Sequence, residues 1–334
     1  MNEEPLSPVP EGRPVLVTGA AGFLGTRVVR RLSAAGRQVV ATDVADDDRG
    51  RALAELPGVS FVPVELRDTD AVTALVHKCD HVVHLAAMRR KASQGGGQAP
   101  FDVNVGATYA LLSAAATGGL KGFVYGSSHL VYGDFADQSR WFSEEDATPA
   151  PGLSLYAAAK VASEAFVAAF SDEFRFDYLC LRFGGIYGPQ AAPGSNTSLM
   201  TDILSAIDRG DRPVVNWSRE TTHCLIYVED AARACVAAID FPVAGRSVNV
   251  VNPPRTAEEI YTELVQLYGA DPALLEWTPG RSRFQQVRNE RLVEELKCPP
   301  ATSMTQGLRS IIDWHHEEAV AATAASKGSA STTS

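Results

Sequence analysis

Residues 13–36, RPVLVTGAAGFLGTRVVRRLSAAG, join a short β-rich run to a glycine-rich turn and then to a helical run that ends near Gly36, where a glycine C-cap belongs. The glycines fall at 19, 22 and 25, the spacing G-x-x-G-x-x-G. Gly19 permits a tight turn, Gly22 lets backbone approach a pyrophosphate, and Gly25 lets helix and strand pack closely. The helix N-terminus then presents free N–H groups to the anion, so Phe23 and Leu24 between the glycines belong to the same loop.

A glycine pattern alone is weak, and its surroundings give it weight. The next strand, RQVVATD, closes on Asp43, 24 residues after Gly19, near the distance expected of an acid that binds the adenosine ribose. A carboxylate there repels a 2′-phosphate, which predicts NAD over NADP, with Arg37 and Arg49 as the nearby cations that could argue otherwise. Further strands follow at GVSFVPVEL, DHVVHLAA, GFVYGSS and DYLCLRF, with helices at 69–79, about 102–117 and around Tyr156 between them. Such alternation predicts a doubly wound α/β fold with a parallel sheet and right-handed crossovers.

Beyond Gly184 the pattern changes. Residues 184–222 are loop-rich around one helix, HCLIYVEDAARACVAAID reads as a strand and helix of the main sheet, and Thr256 and Glu259 have capping-box spacing. The expected organisation is a disordered leader (1–12), a Rossmann domain (13–183 plus 223–250), a smaller discontinuous substrate lobe (184–222 plus 251–316), and a loose tail (317–334).

Composition narrows the function classes. The 334 residues carry a net charge of −10, which lacks the positive field that nucleic acid or an anionic membrane would require. No apolar run reaches the roughly 18 residues of a membrane span. Cys79, Cys180, Cys224, Cys235 and Cys298 are scattered and odd in number, which points to reduced thiols and a cytoplasmic setting. His81, His84, His315 and His316 show no metal-ligand spacing, and no metal is expected.

In LSLYAAAKVASEAF, residues 153–166, Tyr156 and Lys160 are one helical turn apart and share a face. A phenol with a pKa near 10 is a poor base at neutral pH. A cation about 5 Å away, at an effective dielectric near 20, contributes roughly 3 kcal/mol and lowers that pKa by around 2. Upstream, a strand delivers Ser127 and Ser128 to the carboxyl edge of the sheet, where open α/β folds bind ligands.

These features resemble the extended short-chain dehydrogenase/reductases, a family that includes nucleotide-sugar epimerases and dehydratases. The resemblance spans about residues 13–316. It rests on seven motifs in the family's order: TGAAGFLG, HLAA, NVGATYALLSAA, SSHLVYG, YAAAK, LRFGGIYGP and LIYVEDAARA. It implies Ser128, Tyr156 and Lys160 as the catalytic set, Glu65 and Leu66 beside the adenine, Leu85, Ala86 and Ala87 lining the cofactor, and Asn104 supporting the active site. Phe183 falls where the family places an aromatic near the nicotinamide, and Tyr132 is expected to be structural. The implied chemistry is hydride transfer between a carbinol carbon and NAD, in a homodimer formed through the helices at about 104–117 and 156–170.

The chain also departs from the pattern. Family dehydratases place an acidic pair after the motif Ser/Thr, whereas this chain has His129 and Leu130, which disfavours a 4,6-dehydratase. Gly185 stands where nucleotide-sugar members carry an asparagine, and His223 where they carry an arginine. A neutral imidazole cannot hold phosphate as a guanidinium fork does. The candidate substrate residues are therefore Arg89, Ser128, His129, Gly185 and His223, with Arg281 and Arg283 as further cations. The expected function is NAD-dependent oxidation of a secondary alcohol of a sugar or nucleotide sugar, first as a 4-epimerase with a transient keto intermediate. The alternatives are a net sugar or sugar-acid dehydrogenase or ketoreductase, and a non-catalytic NAD-binding sensor.

Overall fold

The computed structural model describes residues 12–45, 47–88, 98–133, 135–146, 152–191, 196–240, 245–279 and 282–330. The first half runs β1 (Val15–Thr18), α1 (Gly25–Ala34), β2 (Val39–Thr42), α2 (Asp48–Ala54), β3 (Val59–Phe61), α3 (Thr69–Val76), β4 (His81–His84), α4 (Ala99–Phe101), α5 (Ala107–Gly118), β5 (Gly122–Ser128), α6 (Leu155–Phe174) and β6 (Asp177–Phe183). The second half adds β7 (Gly185–Tyr187), α7 (Asn196–Asp208), β8 (Val214–Val215), β9 (Thr222–His223), β10 (Leu225–Tyr227), α8 (Val228–Ile239), β11 (Arg246–Val250), β12 (Arg255–Thr256), α9 (Ala257–Leu267), β13 (Glu276–Trp277) and α10 (Met304–Ala330).

Seven of these strands form one parallel sheet in the order β11-β6-β5-β4-β1-β2-β3. The chain starts in the middle, moves outward to β3, then crosses to β4 on the other side of β1. That reversal opens a crevice at the carboxyl ends of β1 and β4, where doubly wound folds bind dinucleotides. All four residues of β1 and of β2 are buried, because helices cover both faces of the sheet. On one face Val28, Val29 and Leu32 of α1 meet Ala231, Ala234 and Cys235 of α8. On the other, Val72 and Leu75 of α3, Leu111 and Leu112 of α5, and Val167 of α6 close the core.

A third apolar cluster joins Met200, Ile203 and Leu204 of α7 to Ile260 and Leu264 of α9 and Leu308 and Ile311 of α10. Short strand pairs, β7 with β10, β9 with β12 and β8 with β13, connect it to the sheet's carboxyl edge. Thr256 and Glu259 complete a reciprocal capping box at the start of α9, as their spacing predicts. Helix α6 begins at its N-cap Ser154, whose hydroxyl accepts from the Ala157 N–H and so fixes Tyr156 in the first turn.

Two elements differ from the sequence expectation. The helix expected at about 102–117 runs without a gap from Ala99 to Gly118, but its first part winds into a π-turn over Asp102–Gly106. The tail expected to be loose from residue 317 continues as helix to Ala330. Alanine is frequent in that stretch and favours a helix by propensity, and Val320 within it is exposed. The leader lies outside the described residues up to position 11. Among the described residues no helix is long and apolar enough to cross a membrane.

Candidate active site

The glycine loop is built as its spacing requires. Gly19 has φ of +67°, and a Cβ there would lie 2.7 Å from the Ala86 nitrogen at the end of β4. A Cβ on Gly25 would sit 2.0 Å from the Gly19 carbonyl oxygen, so any side chain would drive α1 off the loop. Leu24 caps α1 with no side-chain acceptor, which leaves the helix N-terminus to an anion. Phe23 stacks under the Arg27 guanidinium at 4.7 Å, and Arg27 also donates to the carbonyls of Phe23 and Pro189.

Asp43 lies beside this loop. One carboxylate oxygen accepts from the Ala21 N–H at 3.0 Å and the other from the Val44 N–H at 2.8 Å, leaving further lone pairs for ribose hydroxyls. The cations that could have favoured a 2′-phosphate are committed elsewhere: Arg37 pairs with Asp240 at 2.5 Å and Arg49 with Asp47 at 3.5 Å. Glu65 is held below its ordinary range by Arg67, while Leu66 is buried in the core. Leu85, Ala86 and Ala87 extend β4 into the crevice, half-buried, with the Leu85 and Ala86 N–H groups bonded to Thr18. Asn104, inside the π-turn, fastens this segment by accepting from the Met88 N–H and donating to the Met88 carbonyl. A single-turn π-bulge is a frequent mark of a functional site. The cradle, the uncapped helix end and Asp43 together fit a dinucleotide.

At the next crevice, Ser128 ends β5 and its hydroxyl accepts from the Leu130 N–H, opening a 3-10 turn over His129–Tyr132. Lys160 is 3 % exposed and donates to the Gly126 carbonyl at 2.6 Å. Its ammonium lies 4.7 Å from the Tyr125 ring centre and 5.7 Å from that of Tyr156. Tyr156 and Lys160 therefore share the helix face that meets the carboxyl end of β5.

The expected lowering of the Tyr156 phenol is not what the protein by itself shows. Burial pushes Tyr156 up to about 12 and Lys160 down to about 8, with the Glu164 carboxylate opposing the second change. The ammonium is placed against ring faces and a carbonyl, and desolvation dominates both groups.

Behind Ser128 lies a buried network that sequence reading missed. Ser127 points to the opposite side of β5 and donates to Glu164. Arg182 of β6 grips both Glu164 oxygens, at 2.7 Å for the closest contact, and donates to the Tyr132 hydroxyl at 3.0 Å. Tyr132 in turn donates to Asn249, so it is structural, as expected. One signal was available: Glu164 follows Tyr156 and Lys160 at the same four-residue step, which places all three on one face.

The substrate residues divide. His129 is buried and both ring nitrogens are engaged: Nδ1 donates to the Phe183 carbonyl at 2.9 Å and Nε2 lies 3.1 Å from Gln285 Oε1. The Phe183 ring is packed into the apolar core. His223 is 8 % exposed, edge-on to Trp217, and held neutral by burial and by His129 and Arg283, at about 4. It brings no positive charge at neutral pH. Gly185 opens β7 and donates its N–H to the Cys224 carbonyl at 2.8 Å. Arg283 approaches the Phe135 ring at 5.7 Å, whereas Arg89 and Arg281 lie outside the described residues. Among the described residues, no group of three or more His, Cys, Asp or Glu side chains is placed to hold a metal.

Comparison with known proteins fits this geometry. Residues 15–252 match the model of the NAD dependent epimerase/dehydratase family. The chain is 27 % identical over 318 residues to the UDP-N-acetyl-alpha-D-glucosaminuronate decarboxylase of Bacillus cytotoxicus, covering 90 % of this chain and 97 % of that one. It is 29 % identical over 310 residues to the UDP-glucose 4-epimerase of Mycolicibacterium smegmatis, with the same coverage of 90 % and 97 %. Sugar-nucleotide 4,6-dehydratases are also among its relatives. Among solved structures it resembles MoeE5 in complex with UDP-glucuronic acid and NAD, at a TM-score of 0.79 and 26 % identity over 91 % of this chain and 99 % of that one. NAD is accordingly the cofactor, and the chain belongs to the NAD-dependent epimerase/dehydratase family of extended short-chain dehydrogenase/reductases.

Proposed function

We propose that the protein is a 4-epimerase of a nucleotide sugar that works through a transient keto intermediate. One observation carries this reading. Lys160 bonds the Gly126 carbonyl of β5, the strand that ends on Ser128, and its ammonium lies near the Tyr156 ring, while the two positions after Ser128 hold a histidine bonded through both ring nitrogens and a leucine. That set serves oxidation and reduction of a carbinol and lacks the carboxyl pair that water elimination needs. Relatives named for UDP-sugars supply the substrate class.

Ser128 would orient the substrate hydroxyl and Tyr156 would take its proton, returning it when the carbonyl is reduced. Lys160, with one N–H on the Gly126 carbonyl, has donors left for ribose hydroxyls and supplies the positive charge that the phenolate form requires. NAD+, when bound, supplies the hydride acceptor. Epimerisation then requires the keto sugar to turn before hydride returns to the other face, which a pocket without a fixed diphosphate arginine at position 223 would permit.

The test is incubation of purified protein with UDP-glucose, UDP-glucuronic acid and UDP-N-acetylglucosamine, followed by NMR for the 4-epimers and by absorbance for NADH. The expected result is an epimer without net NADH, abolished in Tyr156→Phe. Stoichiometric NADH or carbon dioxide release would assign a net dehydrogenase or decarboxylase instead, a 4-keto-6-deoxy product would restore the dehydratase, and turnover unaffected by Tyr156→Phe would remove the site.

A further inference from the structure

We infer that Glu164, clamped by Arg182, is a positioning residue of the hydride-transfer site: one helical turn beyond Lys160, it favours the charged form of the Lys160 ammonium and ties α6 to β5 through Ser127. This rests on the role proposed above for Ser128, Tyr156 and Lys160. The geometry is a closed circuit. Glu164 is one helical turn beyond Lys160 on α6, receives the Ser127 hydroxyl from β5, and receives two guanidinium nitrogens from Arg182 on β6. All three side chains are buried.

Lys160 has charged and titratable neighbours on every packed element. Tyr156 and Glu164 come from its own helix, Tyr125 from β5, His84 from β4, and Cys180 from β6, with the Arg182 cation of β6 behind Glu164. His84 is held neutral by burial and by Lys160 itself, and burial also keeps Tyr125 and Cys180 in their neutral forms. Within that set Glu164 is the negative group that favours a proton on Lys160. Burial draws the ammonium down to about 8, and the Glu164 carboxylate opposes that change.

Arg182 explains why the carboxylate stays in place. A bidentate guanidinium fixes both oxygens, and the Arg182 to Tyr132 to Asn249 chain fixes the guanidinium. Ser127 then couples the clamp to the active strand.

The experiment reads Lys160 directly. The chain has six lysines, so protein labelled with ¹³C at lysine Cε gives a countable spectrum, and Lys160→Met identifies the resonance. In Glu164→Gln the Lys160 titration is expected to move down by about one to two pH units, the range for losing one carboxylate a helical turn away. Glu164→Asp should recover most of it. Glu164→Gln leaves Arg182 buried without its partner, so the double variant Glu164→Gln/Arg182→Met is the control for folding; it removes one charge of each sign and should move the Lys160 titration less than the single variant does. In the turnover assay, the high-pH limb of kcat/KM should move down with the resonance while the low-pH limb stays.

A Lys160 titration that moves by less than about 0.3 pH units in both Gln variants overturns the inference. No Tyr156-dependent turnover on any sugar, with the resonance shifted, would sink the proposed function and leave only the coupling of Glu164 to Lys160 standing. Tyr156-dependent turnover with an unmoved resonance would do the reverse.

Discussion

Replacing Gly25 by alanine tests whether the glycine loop is a nucleotide cradle or only a turn. The added Cβ would meet the Gly19 carbonyl oxygen at 2.0 Å and the Ala20 Cα at 2.8 Å, both backbone atoms that cannot rotate aside. Real Cβ contacts essentially never fall below 3.0 Å, so the start of α1 and the loop must separate by about 1 Å. Overpacking of this kind costs about 1–3 kcal/mol in stability, which a domain of this size survives. The same displacement moves the N–H groups that face the pyrophosphate, and a 1 Å misplacement of a binding group costs about 100-fold. The variant should therefore keep its circular-dichroism spectrum, melt a few degrees lower, and bind NAD about 100-fold more weakly by calorimetry. NAD affinity within about threefold of the unmodified protein would refute the cradle.

Asp43→Asn should weaken NAD by roughly tenfold or more in fluorescence titration without conferring NADP use, because Arg37 remains tied to Asp240. At the opposite edge of the sheet, burial would raise the Asp80 carboxyl, but Lys121 and Arg13 outweigh it and hold it at about 2. A carboxyl depressed from 3.8 to about 2 stabilises the fold by about 2 kcal/mol above pH 4, a gain lost as pH falls through 2. With solvent around Arg13 and Lys121, urea unfolding of Asp80→Asn should show a deficit of roughly 1–2 kcal/mol at pH 6 that shrinks towards pH 2.5, and a pH-independent deficit would discard the ion pair as its cause. The rings of Tyr109, Phe166 and Phe170 meet edge to face on α5 and α6, with Tyr109 exposed. If these helices form the expected dimer, Tyr109→Glu should convert it to monomer in sedimentation, and an unchanged mass would rule out that face.

The parts of the site that were legible in the sequence are local. Strand, glycine turn and helix lie within residues 13–36, and Tyr156 and Lys160 are joined by one helical turn, so short-range geometry is enough to find both. What sequence reading missed depends on distant partners. His129 meets Gln285 across 156 positions, and nothing in either neighbourhood announces the other. Glu164 and Arg182 become a clamp only once β5 and β6 are in register beside α6. The expected lowering of the phenol counted the cation and not the desolvation, which pushes the other way for Tyr156. The helix beyond residue 317 follows from alanine propensity, which outweighed the lack of apolar bulk.

His84 lies under the cofactor crevice, its Nδ1 2.7 Å from the Thr18 hydroxyl and its Nε2 3.0 Å from that of Thr108. Thr108 gives its own hydrogen to the Asn104 carbonyl, so it must accept from Nε2–H, and Nδ1 must accept from Thr18. Every hydrogen in the row points the same way and the row terminates on an oxygen that cannot pass one on. It is a blind alley for proton conduction: a proton that entered the row at Thr18 would find no exit along this path.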